Sequence, residues 1–527
     1  MSIRYFFYIV ILCCGANAFN VLILSPVPSF SHQRPILTLT ENLVKKGHRL
    51  FVVSPNKASD LEQNANYTFV DLSFLYDFFK DKEEDGHISV QRQISKWNLY
   101  SSIFGIGPKI AESHLTSEQF LQFKRRVEQE GIKFDVVMIQ SILAPYLVPI
   151  ARLLAGDAPI VSISSYAMDW LAEDALGSPV HLSFLPSVFG HYTDKMNLWQ
   201  KLENWFSHTF IVSGVKKNIG TAARRFLTDV YGLNATFVDE SPWERIGLTL
   251  ITSNSLYYYP RLIGPNVVEV GPLHVGAPGK LPTVLQNWLD GAKRGVIYFS
   301  LGSNMKSKSL APDALENFLE FFRGLPAGYR VLWKWESDQK IPGQSDNIFT
   351  QKWMPQSSVL AHPKVKLFIT QGGLQSFQEA VHFGVPTVTI PWFIDQELMA
   401  AKTLDAKIGG RLSPQDIHSF TKIKSTIETV LYDESYMRNM QRLSTLSHDF
   451  TSEAVDKAVF WVEHVARHGG ASHLRPSIAD SSLFQYFCLD IISFLLVLGL
   501  SVMFLVYSAF KFLISYSTIK KGKVKHS

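Results

Sequence analysis

Short, unbroken apolar runs bounded by glycine, proline and polar residues recur along the chain. Between them, apolar positions return every three or four residues. The first kind of run predicts strands buried on both faces, and the second predicts helices packed over them. In the first half the expected strands are Phe19–Ser25, Phe51–Ser54, Val136–Ser141, Ile160–Ser164 and Leu248–Ser253. A loop with Pro26 and Pro28 follows the first strand, and a helix from about Gln33 to Lys46 ends at Gly47. Strands alternating with helices predict a doubly wound parallel sheet. A Gly- and Pro-rich stretch marks a linker at 276–295, and a second α/β unit opens at Val296–Leu301.

The second unit contains the most informative run, Trp353 to Gln396. Lys364–Thr370 predicts a buried strand, Gly372-Gly373 a tight turn, and Leu374–Phe383 a helix with Leu374, Phe377, Val381 and Ala380 on one face. Gly384 suits the helix C-terminus, Pro386 stops it, and Thr387–Ile390 predicts the next strand. In a strand–turn–helix unit the free N–H groups of the helix start favour an anion, and glycine lets it approach the backbone. Gln371, Gln375 and Ser376 add neutral hydrogen bonds there, and Glu379, one turn on, can accept from ribose hydroxyls. Trp353 offers a flat face for a base and Gln356 an amide for its edge. Asp395 and Gln396 follow a strand end, where open α/β sheets place ligands.

The two ends of the chain carry addresses. Residues 1–18 have Arg4, the apolar run Phe6–Cys14 and the small-x-small step Ala16-Asn17-Ala18, the pattern of a secretory signal peptide. Ile491–Phe510 holds no charge, and at about 1.5 Å per residue it is roughly 30 Å long, enough to cross a bilayer. Lys511, Lys520, Lys521, Lys523 and Lys525 follow, which places the tail 511–527 in the cytosol and the body in the lumen. Lys523-Val524-Lys525-His526-Ser527 has the form of a dilysine retrieval signal, although a plain positive flank would read alike. The cysteines are Cys13, Cys14 and Cys488, so the lumenal body is expected to hold no disulfide and no thiolate metal site. Asn66 and Asn234 head glycosylation sequons. A net charge of +5 over 527 residues, without a basic stripe, does not imply nucleic acid.

The run Trp353–Gln396, with FSLGSNMKS at Phe299–Ser307 and VLWKWE at Val331–Glu336, resembles the membrane-bound UDP-glycosyltransferases, the UDP-glucuronosyltransferase-like family, in the style of its insect members. The resemblance extends from the leader to the basic tail. It implies a GT-B architecture: two facing doubly wound parallel-sheet domains plus one C-terminal transmembrane helix. Residues 19–275 would form the acceptor-binding domain, and 296–470 the UDP-sugar-binding domain with returning C-terminal helices. It further implies an endoplasmic reticulum membrane enzyme, with UDP-glucose or UDP-glucuronate as co-substrate and no other cofactor or metal. The acceptor would be a hydroxyl on a small lipophilic molecule, as in detoxification, and assembly with itself or relatives stays open. In the family, the positions matching Trp353 and Gln356 hold uridine. Those matching Ser303, Gln375 and Ser376 hold the diphosphate, with Gln371 and Gly373 beside them in this chain's turn, Glu379 matches the ribose ligand, and Asp395 and Gln396 match the sugar ligands.

Transfer also needs a base for the acceptor hydroxyl. His32 lies after the first strand, beside Ser31 at a helix entrance, and matches the family's catalytic histidine. The family orients that histidine with an acid after a strand that here reads Phe134–Gln140, and Gln140 stands in the acid's place. Its carbonyl can accept the imidazole N–H but brings no charge. Asp135 sits at the other end of that strand, more than about 10 Å away at roughly 3.3 Å per residue. Gln371 replaces a common histidine and Met399 a common asparagine, so the donor site is expected to be less charged than the family's. With no cation evident near Asp395, glucose is the preferred sugar. The aromatics between Tyr166 and Phe210 allow two readings, packed helices under the acceptor cleft or a greasy acceptor site with membrane contact. The rival to an inverting glycosyltransferase is a membrane-anchored binder of UDP sugars or lipophiles, or a partner subunit, that has lost catalysis.

Overall fold

A computed structural model of the chain describes residues 18–79, 95–238, 241–303 and 305–524. The expected leader and the end of the dilysine tail lie outside the described residues.

The first half builds a seven-stranded, all-parallel sheet from Asn20–Leu24 (β1), Arg49–Ser54 (β2), Tyr67–Asp71 (β3), Val136–Ile139 (β4), Ile160–Ser164 (β5), Ile246–Ile251 (β6) and Val267–Glu269 (β7), in the order β3-β2-β1-β4-β5-β6-β7. The strand order reverses between β1 and β4, the crevice where doubly wound sheets bind ligands. Helix α1, Phe30–Lys45, leaves the β1 turn; it starts three residues earlier than its apolar period suggests, so His32 lies within its first turn. Helix α2, Leu198–Gly214, reverses the usual burial. It buries Asn204, Ser207, His208 and Ile211, while Leu198, Trp199, Leu202, Trp205, Phe206 and Phe210 are exposed. The buried polar face is satisfied: Asn204 accepts from the Ser187 N–H at 2.7 Å and donates to the carbonyls of Leu182 and Leu185.

The stretch expected as linker contains a helix, α3, Thr283–Asp290, whose Leu285 and Leu289 pack under the second sheet with Val296 and Tyr298. That sheet joins Gly295–Ser300 (β8), Tyr329–Lys334 (β9), Ile348–Gln351 (β10), Val365–Thr370 (β11), Thr387–Thr389 (β12) and Gly409–Arg411 (β13), all parallel, in the order β10-β9-β8-β11-β12-β13. Its reversal point lies between β8 and β11.

Helix α4, Leu374–His382, follows β11, and helix α5, Gln396–Asp405, follows β12. The two faces of α4 serve different halves of the molecule. Ala380 packs on the second sheet, whereas Leu374, Phe377 and Val381 enter the core that also contains β1, β4 and β6 residues. Helix α6, Ala454–His468, returns to the first sheet and buries Ala458, Val459, Val462 and Val465 against Val21, Ile36 and Leu39. His48 Nε2 lies 2.9 Å from Glu463 of α6, a structural use of that histidine.

The C-terminal unit, Pro476–Ser527, is a separate body. Its long helix α7, Leu489–Val524, includes a stretch from Leu489 to Thr518 that is long and apolar enough to cross a membrane.

Candidate active site

A cavity of about 390 Å³ lies where the C-terminal ends of the strands of both sheets converge. The first half contributes Phe30, Ser31, His32 and Arg34 of α1, with Ser165 and Tyr166 from the turn after β5. The second half contributes Gly302 and Ser303 after β8, Lys334 at the end of β9, Trp353–Ser358, the start of α4, and Ile394–Gln396. All ten expected donor residues line this one cavity, as does His32; Gln140 does not.

On the donor wall, Trp353 is about half exposed, with the edge of Phe30 at 5.5 Å and the Lys334 ammonium 5.7 Å from its ring centre. An exposed indole framed by a second ring suits a flat base. Gln356 takes a hydrogen bond from the Tyr298 hydroxyl at 3.4 Å and donates to Ser376 Oγ at 3.0 Å and to Glu379. Glu379 is fully buried, yet its carboxyl stays below the usual carboxylate range. Burial would raise it, but Arg34 at 3.0 Å, His274 and the Ser357 and Gln356 hydrogen bonds outweigh that.

The start of α4 is ordered for an anion. Gly372 takes φ +82°, which favours glycine, and Gly373 caps the helix in an extended conformation. The Leu374 N–H donates to Asp395 Oδ2 at 2.9 Å. Burial pushes the Asp395 carboxyl up to about 6, against the pull of that hydrogen bond. Just before it, Ile394 adopts φ +56°, a strained backbone for a β-branched residue, which aims Asp395 into the cavity. Gln396 accepts from the Trp392 and Phe393 N–H groups through its carbonyl, so it is the amide nitrogen that remains for a ligand. Gln375 donates to the Ser31 carbonyl, bridging the starts of α4 and α1. The buried Gln371 carbonyl oxygen has no partner among the described residues, a polar group ready for a hydroxyl donor. Met399 is packed in the core, away from the cavity wall.

The catalytic wall corrects one expectation. Gln140 bonds elsewhere: its Oε1 accepts from the Val27 N–H at 3.3 Å, and no hydrogen bond joins it to His32 among the described residues. Instead the imidazole sits edge-on to Tyr166, ring centres 5.0 Å apart. Burial lowers the His32 imidazole to about 4, with no neighbouring carboxylate to offset it, so it is neutral at physiological pH. Tyr166 in turn feels the Asp395 charge, which adds to burial in raising its phenol, so this ring connects the two walls. Asp135 accepts from the Asn20 N–H at the far end of β1, as its distance along the strand requires.

Two cations line the cavity that pattern reading did not place there. Lys334 lies in the VLWKWE strand and is held by Glu336 and the Gly302 carbonyl, both at 2.9 Å. Arg34 faces the opposite wall and pairs with Glu379. The donor site is therefore charged, but each cation already has a carboxylate. Asp169 also went unnoticed. It is a buried carboxylate receiving Ser141 (2.6 Å), Ser162 (2.9 Å) and Thr249 (3.1 Å), which fixes the β4, β5 and β6 ends behind the site. Its one signal is a lone Asp within the apolar run Ala167–Ala172, which marks a buried carboxyl but does not name its partners.

Comparison with known proteins agrees with this geometry. Residues 21–524 match the family model of "UDP-glucoronosyl and UDP-glucosyl transferase". A UDP-glycosyltransferase of Dactylopius coccus, UGT5, is 30% identical over 525 residues, covering 98% of this chain and 96% of that protein. Human UDP-glucuronosyltransferase 2B7 is 29% identical, with 90% of each chain covered. Among solved structures, the glycotransferase of kitacinnamycin superposes with a TM-score of 0.57 at 18% identity, covering 85% of this chain and 99% of that one. A UDP-glucosyltransferase from Polygonum tinctorium gives 0.55 at 15% identity, covering 86% and 99%. The two parallel sheets are thus those of a GT-B glycosyltransferase, and the chain belongs to the UDP-glucoronosyl and UDP-glucosyl transferase family, enzymes that transfer sugar from a UDP donor.

Proposed function

We propose that this enzyme is an inverting, metal-independent glucosyltransferase acting on a hydroxyl of a small lipophilic acceptor, as in detoxification. The observation that carries the reading is the single cavity in which a neutral His32 from one half faces the donor residues of the other. In this mechanism Trp353 and Gln356 hold uracil, and Glu379 holds the ribose. The α4 start, with Ser303, Gly373, Gln375, Ser376 and Gln371, receives the diphosphate. Asp395 and Gln396 bind the sugar hydroxyls. The acceptor hydroxyl gives its proton to His32 as its oxygen attacks the anomeric carbon from the face opposite the diphosphate. The carbon–oxygen bond to UDP breaks with the electrons leaving on the diphosphate, and the anomeric configuration inverts. Beside His32 the rings of Phe30 and Tyr166 line the cavity, and this apolar surface favours a lipophilic acceptor.

The apolar helix α7 and the Lys-rich tail support a single-pass protein of the endoplasmic reticulum with its body in the lumen. Exposed Asn234 and half-buried Asn66 would carry glycans there. One observation favours the rival reading of a UDP-sugar binder without transfer: the charge that strengthens the family's histidine is replaced by Gln140, which bonds elsewhere. Membranes containing the protein, given labelled UDP-glucose or UDP-glucuronate with a panel of phenols, separate the readings. Transfer that is lost in His32→Ala while UDP binding persists is the expected result. No transfer above that variant, with UDP bound, leaves the binder.

A further inference from the structure

Arg34 is the fifth residue of α1, two positions beyond His32, and it reaches across the cleft. Its Nη1 lies 3.0 Å from Glu379 Oε1 and its Nη2 donates to the His274 carbonyl at 3.4 Å. The Glu379 side chain is wholly buried, whereas that of Arg34 is 28% exposed toward the cavity. Glu379 already accepts three hydrogen bonds: Ser357 shares Oε1 with Arg34, and Gln356 takes one side of Oε2. One acceptor site is left on Oε2, so a ribose that engages this buried carboxylate through both its hydroxyls must replace a donor. Ser357 and Gln356 belong to the same half as Glu379 and are fixed by a short helix, Gln356–Leu360. Arg34 comes from the other half, on a flexible side chain.

The charges in the cavity point the same way. The lining cations are Arg34 and Lys334, and Lys334 is held on Glu336. A diphosphate at the start of α4 would thus meet a helix end and neutral donors, with Gln371 supplying no charge. Glu379 lies five residues past Leu374, roughly 7.5 Å along α4 from that helix end. The distance is within the swing of an arginine side chain.

Resting on the reading of this cavity as a UDP-sugar site, we propose that Arg34 is an exchange cation. It holds Glu379 while the site is empty. When ribose hydroxyls take over the carboxylate, it moves to the diphosphate oxygens and stabilises the leaving group. Ribose recognition would then release the charge the diphosphate needs, coupling the two halves of the donor.

The test is calorimetric titration of the detergent-solubilised full-length protein with uridine and with UDP. Wild type is compared with Arg34→Met, Arg34→Lys and the double variant Arg34→Met/Glu379→Gln, which leaves no unpaired buried charge. Exchange predicts that Arg34→Met binds uridine at least as tightly as wild type, because a competitor for Glu379 is gone, but UDP at least tenfold more weakly. The UDP-to-uridine affinity ratio should also collapse in the double variant and be largely kept in Arg34→Lys. A ratio unchanged in Arg34→Met overturns the proposal, as does an equal weakening of both ligands, which would make Arg34 a positioning residue for Glu379. Wild-type protein that binds neither ligand overturns the donor-site reading itself.

Discussion

Burial acts oppositely on two residues that face each other across the cleft. It lowers the His32 imidazole to about 4 and raises the Asp395 carboxyl to about 6. Between those values His32 is neutral, as its proposed role as base requires, while Asp395, the proposed sugar ligand, is protonated. UDP-sugar binding, followed through Trp353 fluorescence, should therefore fall as pH drops through about 6, and Asp395→Asn should bind weakly without that pH dependence. The same shift has a stability sign. A carboxyl raised in the folded state destabilises the fold when ionised, so its penalty is present at neutral pH and fades as pH falls toward its unfolded value. Asp395→Asn should raise the thermal midpoint at pH 7.5 by about 1–2 °C, and by less at pH 4.5. Gln140→Asp keeps an acceptor for the Val27 N–H and should leave the pH–rate profile unchanged. A raised imidazole pKa with faster transfer would show that a charge at this position does reach His32. His32 was legible because a histidine at a strand–helix turn is an exposed kind of signal. Its surroundings were not, since a side chain's hydrogen-bond choice, such as Gln140 taking Val27, depends on backbone geometry that spacing does not reveal.

At the scale of elements, α4 is the joint of the molecule. Its period named Leu374, Phe377 and Val381 as an apolar face and wrongly added Ala380, which packs on the second sheet instead. The face enters a core shared by both halves, with Met399 and Met440 as well as residues of β1, β4 and β6, which a period alone does not reveal. Phe377→Ala should therefore cost about 3–5 kcal/mol in chemical denaturation and also raise the KM for the UDP sugar, because the helix that would hold the diphosphate is seated by that ring. The β8 turn is similarly tight. Gly302 has φ +78°, and a Cβ there would lie 2.4 Å from Gln371 Nε2. Gly302→Ala should weaken UDP binding with little change in acceptor KM. The central strands were readable to within two residues, and Ile160–Ser164 to the residue, whereas β3, β7, β9, β10 and β13, mostly short or edge strands, were not read as strands. Helix α3 was hidden by the Gly and Pro residues around it, and the partnership of Arg34 with Glu379 by their 345-residue separation.

Across the whole molecule, burial lowers His32, His208, His274 and His382 to about 4 and His114 to about 3. Each favours the fold while neutral, and each loses that contribution as pH falls from its unfolded value near 6.5 toward its folded one. Glu173, raised to about 7, and Asp395 act in the opposite sense but are fewer. The unfolding midpoint should thus be several degrees lower at pH 5 than at pH 7.5 by intrinsic fluorescence; a higher midpoint at pH 5 would show that the carboxyls dominate. The meeting of strand ends at the cavity has a further consequence, for how such a protein can change over generations. Its two walls are made of turns from separate sheets, so the turn after β5 can lengthen, shorten or drift without moving a strand of the second sheet. A lineage can then alter one wall while purifying selection preserves the other, and the contacts that cross between them, among them Phe30 with Trp353, Arg34 with Glu379 and Gln375 with Ser31, are where that independence ends.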